Sequence, residues 1–165
     1  MKQIGTPPGA LKFRLVAIVI LVVVFMLAFL NYTNGISASL EKTSIQQTKN
    51  IINSTLVVVF ASYTVEGELD RLNEVSGGNP FEYLEKYGQV PASYQGVIGV
   101  DELEISGSGW YYDSLNGQAI YKSFYDDQNY YFTIILGYRD VNDSGRFEPG
   151  IDEYRRLYLR QLPQQ

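Results

Sequence analysis

From Leu15 to Leu30 the chain carries no polar side chain. A run that is apolar all round, rather than along one stripe, does not suit the surface of a globular protein. At about 1.5 Å rise per residue it covers roughly 24 Å, a little under the ~30 Å of a bilayer core. Leu11 and Phe13 before it and Tyr32 after it supply the remainder, and Lys12 and Arg14 can snorkel to the headgroups. The pattern predicts a transmembrane helix over 13–32 behind a short tail, 1–12, in which Thr6-Pro7-Pro8-Gly9 reads as extended. Further on, Ile45, Ile52, Leu56, Val59, Phe60 and Tyr63 recur at steps of seven, four and three residues, while Lys42, Gln46, Lys49, Asn50 and Asn53 fall elsewhere. That is an amphipathic helix within 33–75, and core packing explains its stripe better than a coiled-coil seam. Leu69 and Leu72 extend the stripe past Gly67, Asn31 to Gly35 offers a place to kink or interrupt the rod, and Leu56 to Phe60 also suits a buried strand.

Ser76-Gly77-Gly78-Asn79 breaks the helical pattern. Asn79-Pro80-Phe81-Glu82 then provides an N-cap, a proline at the first helical position and an acid in the first turn, so a short helix is expected over Pro80 to Tyr87, stopped by Gly88. Pro91 to Gly96 reads as a loop. From Val97 the period switches to two, with strands expected at Leu103 to Ile105, Gly109 to Asp113, Gln118 to Ser123, Tyr130 to Tyr138 and Tyr154 to Gln161. Asn116-Gly117 marks a hairpin between the second and third. In the last, Leu157 and Leu159 face one way and Arg156, Tyr158 and Arg160 the other, which gives one dry and one wet sheet face. The fold class that follows is α+β: a long N-terminal helix, transmembrane then amphipathic, packed on a four- to five-stranded antiparallel sheet over 76–165.

Charge orients this arrangement. Lys2, Lys12 and Arg14 precede the apolar run and no acid does, whereas Glu41 and Lys42 nearly cancel after it. The positive-inside rule then keeps the N-terminus in the cytoplasm and exports the rest. A cleaved signal peptide is the rival reading, since basic, apolar and small residues (Ser37, Ala38, Ser39) occur in that order. The 165 residues carry a net charge of −5 and no basic stripe, which argues against a nucleic-acid partner. There is no cysteine and no histidine. Nucleophile systems that need either residue, and histidine metal sites, are therefore excluded, leaving only carboxylate chemistry; the chain is not expected to be an enzyme.

The hydrophobic N-terminal helix continuing into an amphipathic rod resembles the architecture of type IV pilins and pseudopilins. Gly109-Trp110-Tyr111-Tyr112-Asp113, Gly117 and Ile120-Tyr121 are similar to the hairpin of pilin-like proteins. Asn79-Pro80-Phe81 and Pro91-Ala92-Ser93-Tyr94-Gln95-Gly96 are similar to segments of proteins encoded with mannose-sensitive haemagglutinin (MSHA) pilus genes. The resemblance covers about residues 13–160. One departure bears on the role: processed pilins carry a glutamate at the fifth mature position, and the fifth position counted from Ala10 is Arg14. The resemblance therefore implies an unprocessed accessory component in a bacterial inner membrane, with a periplasmic domain. Its partners would be the lipid bilayer and pilins or other pilus or type II secretion-like assembly proteins.

Asp140, Asn142 and Ser144 at the first, third and fifth positions, with Gly145 at the sixth, match the opening of a calcium loop. Arg146 offers its backbone carbonyl, Glu148 a carboxylate, and Asp152 or Glu153 the closing ligand. The twelfth position is Ile151, so the standard closing glutamate is missing, and a plain polar turn is the competing reading. A calcium- or glycan-binding exported module, adhesive or sensory, is the alternative function. For the fourteen tyrosines, Trp110 and eight phenylalanines, packing on a pleated sheet is weighed above stacking on sugars. Asp101, Glu102 and Glu104, and Asp126 and Asp127, form small acidic clusters that read as solvated turns.

Overall fold

The computed structural model describes residues 8–99, 107–125, 128–148 and 150–163. The chain divides into two compact units, residues 1–40 and 41–165. Helix α1 is assigned over Pro8–Glu66. It begins earlier than the composition of the tail suggests, because a proline at the first helical position loses no intrahelical hydrogen bond. The assignment passes through Asn31 to Gly35 uninterrupted, and Thr33 returns its hydroxyl to the carbonyls of Phe29 and Leu30, both at 3.0 Å. In the first unit the large apolar side chains from Leu15 to Leu30 are 47–68% exposed. Among the described residues, this is one helix long and apolar enough to cross a membrane.

In the second unit α1 ends at Glu66, followed by Gly67 at φ 73°. A 3₁₀ turn, Leu69–Arg71, and the one-turn helix α2, Leu72–Val75, take up the rest of the expected rod. Helix α3 spans Pro80–Tyr87 as its caps predict, with the Phe81 N–H donating to Asn79 Oδ1 at 3.0 Å. The strands are β1 (Tyr94–Ile98), β2 (Gly109–Asp113), β3 (Gln118–Lys122), β4 (Asn129–Arg139) and β5 (Glu153–Gln161).

They form one sheet in the order β1-β2-β3-β4-β5. The sheet is mixed rather than antiparallel: β1 runs parallel to β2, and the other neighbours are antiparallel. The expected loop over Pro91 to Gly96 in fact turns into an edge strand. Its register shifts between Tyr94 and Gly96, and Gly96 sits at φ 114°, which is why the local sequence reads as irregular. The junction is tight: the Trp110 N–H donates to the Ser93 carbonyl at 2.8 Å, and a Cβ on Gly109 would lie 2.5 Å from that same oxygen. The expected strand at Leu103 to Ile105 lies outside the described residues. Between β2 and β3 the turn takes four residues, 114–117. Asp113 organises it by accepting the N–H groups of Leu115 at 2.9 Å and Asn116 at 3.3 Å.

One core serves this unit. Ile45, Ile52, Leu56 and Val59 of α1 are buried in one cluster with Trp110, Ala119, Tyr121, Phe132, Ile134, Leu157 and Leu159 of the sheet, and with Phe81 and Leu84 of α3. Each large apolar side chain fully removed from water contributes about 1.5–3 kcal/mol before entropy is counted. Polar contacts set the helix on the sheet. The Leu159 N–H of edge strand β5 donates to Asn53 Oδ1 at 2.8 Å, and the Glu41 carboxylate accepts hydrogen bonds from Tyr121, Ser123 and Phe124.

Candidate functional site

The β4–β5 connection carries the residues singled out for calcium. Asp140 leaves the end of β4 and accepts the Ser144 N–H on Oδ1 at 3.1 Å and the Gly145 N–H on Oδ2 at 2.7 Å. Asn142 Oδ1 also accepts the Ser144 N–H, at 3.3 Å, and its amide donates to Glu148 Oε2 at 2.8 Å. The Ser144 hydroxyl donates to the Arg146 carbonyl at 3.0 Å. Asp143 takes φ 55°, a left-handed conformation that aspartate tolerates better than most residues.

Asp152 is buried and closes the base of the loop, with Oδ1 accepting the Val141 N–H at 2.9 Å and Oδ2 the Glu148 N–H at 2.8 Å. Glu153 is the first residue of β5, paired in register with Arg139, and its carboxylate lies 3.6 Å from that guanidinium. Six of the seven expected positions therefore share this loop's hydrogen-bond network, and Glu153 belongs to the strand pair beside it. Among the described residues no group of three or more histidines, cysteines or acids is gathered closely enough to hold a metal ion.

Chemically the loop is an acceptor-rich turn whose carboxylates already take backbone N–H groups. Each carboxylate oxygen uses one lone pair in these bonds and keeps another, so the donor set retains capacity toward an oxygen-seeking cation. Such bonds also hold a turn in shape without one.

Next to the loop lies an open cleft of about 730 Å³, walled by Phe60, Leu69, Ile151 and Tyr154, with Asp70 and Glu153 at its rim. The Tyr154 hydroxyl donates to Asp70 Oδ1 at 3.2 Å and is reached by the Asn73 amide at 3.4 Å. Partial burial raises the Tyr154 hydroxyl above its ordinary pKa. No local pattern announces this cleft, because its walls come from α1, the 3₁₀ turn and the β4–β5 connection.

Some of the aromatic residues that suggested a sugar platform are interior. Trp110, Tyr111, Tyr112 and Tyr121 are buried, and Trp110 packs at 5.9, 5.1 and 5.2 Å from the ring centres of Phe81, Tyr121 and Phe132. The acidic clusters at Asp101, Glu102 and Glu104 and at Asp126 and Asp127 lie outside the described residues. Neither a protein-family model, nor a curated protein, nor a solved structure matches this chain.

Proposed function

We propose that this chain is a single-pass accessory protein of the bacterial inner membrane, serving a type IV pilus of the MSHA type or a related type II secretion-like assembly through protein–protein contacts. The observation that carries the reading is the run from Leu15 to Leu30 on α1, whose large side chains are all about half exposed or more. Leaving that much apolar surface in water is unfavourable at roughly 25 cal/mol per Å², and a lipid environment removes the cost. Lys2, Lys12 and Arg14 on one side orient the second unit toward the periplasm. Arg14, where a processed pilin has glutamate, fits a subunit retained in the membrane rather than passed into a filament.

Fractionation of the native full chain is the test. The reading expects it in the inner-membrane fraction, at the intact mass of the whole sequence, co-purifying with pilus or secretion assembly proteins. A soluble, trimmed chain without such partners refutes it.

A second reading, calcium binding, is favoured by one observation: Asp140, Asn142, Ser144 and Glu148 converge on a single loop. Saturating calcium at about a hundred times its dissociation constant would add roughly 2.7 kcal/mol of stability. The expected outcome is a rise in melting temperature at millimolar calcium that Asp140→Ala abolishes. An unchanged melting temperature refutes this reading and leaves the first untouched.

A further inference from the structure

The open cleft between α1, the 3₁₀ turn and the β4–β5 connection is used by neither reading above. Its volume of about 730 Å³ falls within the ~300–1,000 Å³ of clefts that hold ligands. Half-buried Phe60, Leu69 and Tyr154, with exposed Ile151, make its walls apolar. Its charges are of one sign: Asp70, Asp152 and Glu153 line it, and among the described residues no lysine or arginine does. The three acids are not equivalent. Asp152 is buried, with both oxygens committed to backbone N–H groups. Glu153 shares an exposed 3.6 Å contact with Arg139, of a kind that contributes little. Asp70 is exposed and held in place: its Oδ1 accepts the Tyr154 hydroxyl at 3.2 Å, while its Oδ2 has no partner among the described residues. The adjacent Arg71 is engaged elsewhere, donating to Glu68 and lying over the Tyr63 ring.

An open carboxylate oxygen beside an apolar, partly aromatic wall is complementary to one kind of group, a cation that brings apolar surface with it. Anions are repelled, and a neutral group would displace water from the carboxylate without replacing its hydrogen bonds. A guanidinium suits the site better than an ammonium. Its edge can donate to Asp70 Oδ2 while its weakly hydrated face lies against the ring of Phe60 or Tyr154. The aliphatic stem and an apolar neighbour then cover Leu69 and Ile151. We infer that this cleft takes an arginine side chain, flanked by an apolar residue, from a basic segment of a partner protein. The choice of a protein rests on the contact-making role proposed above; the cationic chemistry rests on the cleft alone.

The probe is a capped leucine–arginine–glycine peptide carrying a fluorophore. Its match is the same peptide with citrulline, which keeps the shape of arginine without the charge. The full-length chain in lipid nanodiscs is titrated with each by fluorescence anisotropy, with a calcium chelator present and empty nanodiscs as the blank. The arginine peptide should bind, and the citrulline peptide should bind about tenfold more weakly or not at all. Asp70→Asn keeps an oxygen for the Tyr154 hydroxyl, so it should melt like the native chain; it should weaken the arginine peptide about tenfold and leave the citrulline peptide unchanged. Glu85→Gln, at an exposed acid of α3 outside the cleft, should alter neither. The inference is overturned if the arginine peptide does not bind, if the two peptides bind equally, or if a natively melting Asp70→Asn chain binds like the native one. Displacement of the peptide by equimolar spermidine, a free cation, overturns it as well. None of these outcomes bears on the membrane fractionation that tests the accessory role, so the two readings fail separately.

Discussion

Glu41 ties α1 to the sheet through three hydrogen bonds. Its Oε1 accepts the Tyr121 hydroxyl at 3.0 Å and the Phe124 N–H at 2.9 Å, and its Oε2 accepts the Ser123 hydroxyl at 2.7 Å. Hydrogen bonds to a charged group contribute about 1.5–3 kcal/mol each in favourable cases, and Tyr121 and Ser123 are buried. Glu41→Ala should therefore lower unfolding stability by about 2–3 kcal/mol, seen as a lower urea midpoint at unchanged slope; Glu41→Gln should cost less, since the amide keeps one acceptor oxygen. In the sequence Glu41 is merely the first acid after the apolar run. Its partners lie 80 to 83 residues away, beyond the reach of any local pattern. Trp110 is the converse case. Its position in a hairpin strand was legible, yet its buried indole N–H finds no hydrogen-bond acceptor, so its contribution to stability is packing.

Helix α3 was readable to its last residue because its signals are local: Asn79 at the cap, Pro80 at the first position, Gly88 at the stop. The β2–β3 pairing was readable for the same reason, through alternation and the Asn116-Gly117 turn. Strand β1 was not, since a parallel edge strand takes its register from a neighbour across a crossover rather than from a tight turn. The docking of α3 has a consequence at high pH. Burial pushes the Tyr83 hydroxyl up to about 12, with the nearby Tyr63 and Glu82 adding to it. The folded state holds that proton more tightly than the unfolded chain, whose tyrosine titrates near 10. The contribution is full below about pH 10 and is lost as pH rises through about 12. Melting temperatures followed across this window should fall less steeply in Tyr83→Phe than in the native protein. Burial likewise raises the Tyr94 and Tyr112 hydroxyls, so some slope should persist in that variant.

At the scale of the whole molecule, hydrophobic period was enough to predict a lipid-suited N-terminal run, an amphipathic helix after it and an aromatic sheet domain; the wet face it assigned to the sheet holds along β5 but not at β2, which is buried at every position. Those features depend on side-chain spacing along a single element, and spacing is a one-dimensional property. The candidate loop was legible for a related reason, since Asp140 to Glu148 bond with one another over six residues or fewer. Contacts between distant segments emerged only once the chain had folded. They include the parallel β1–β2 pair, the cleft between Phe60 and Tyr154, and the Glu41 anchorage. The apolar side chains of α1 also had to be sorted in three dimensions: Ile52 and Leu56 went to the core while Ile51 and Val58 stayed in solvent. Neighbours in sequence carry similar chemistry there, and only the position of the sheet chooses between them.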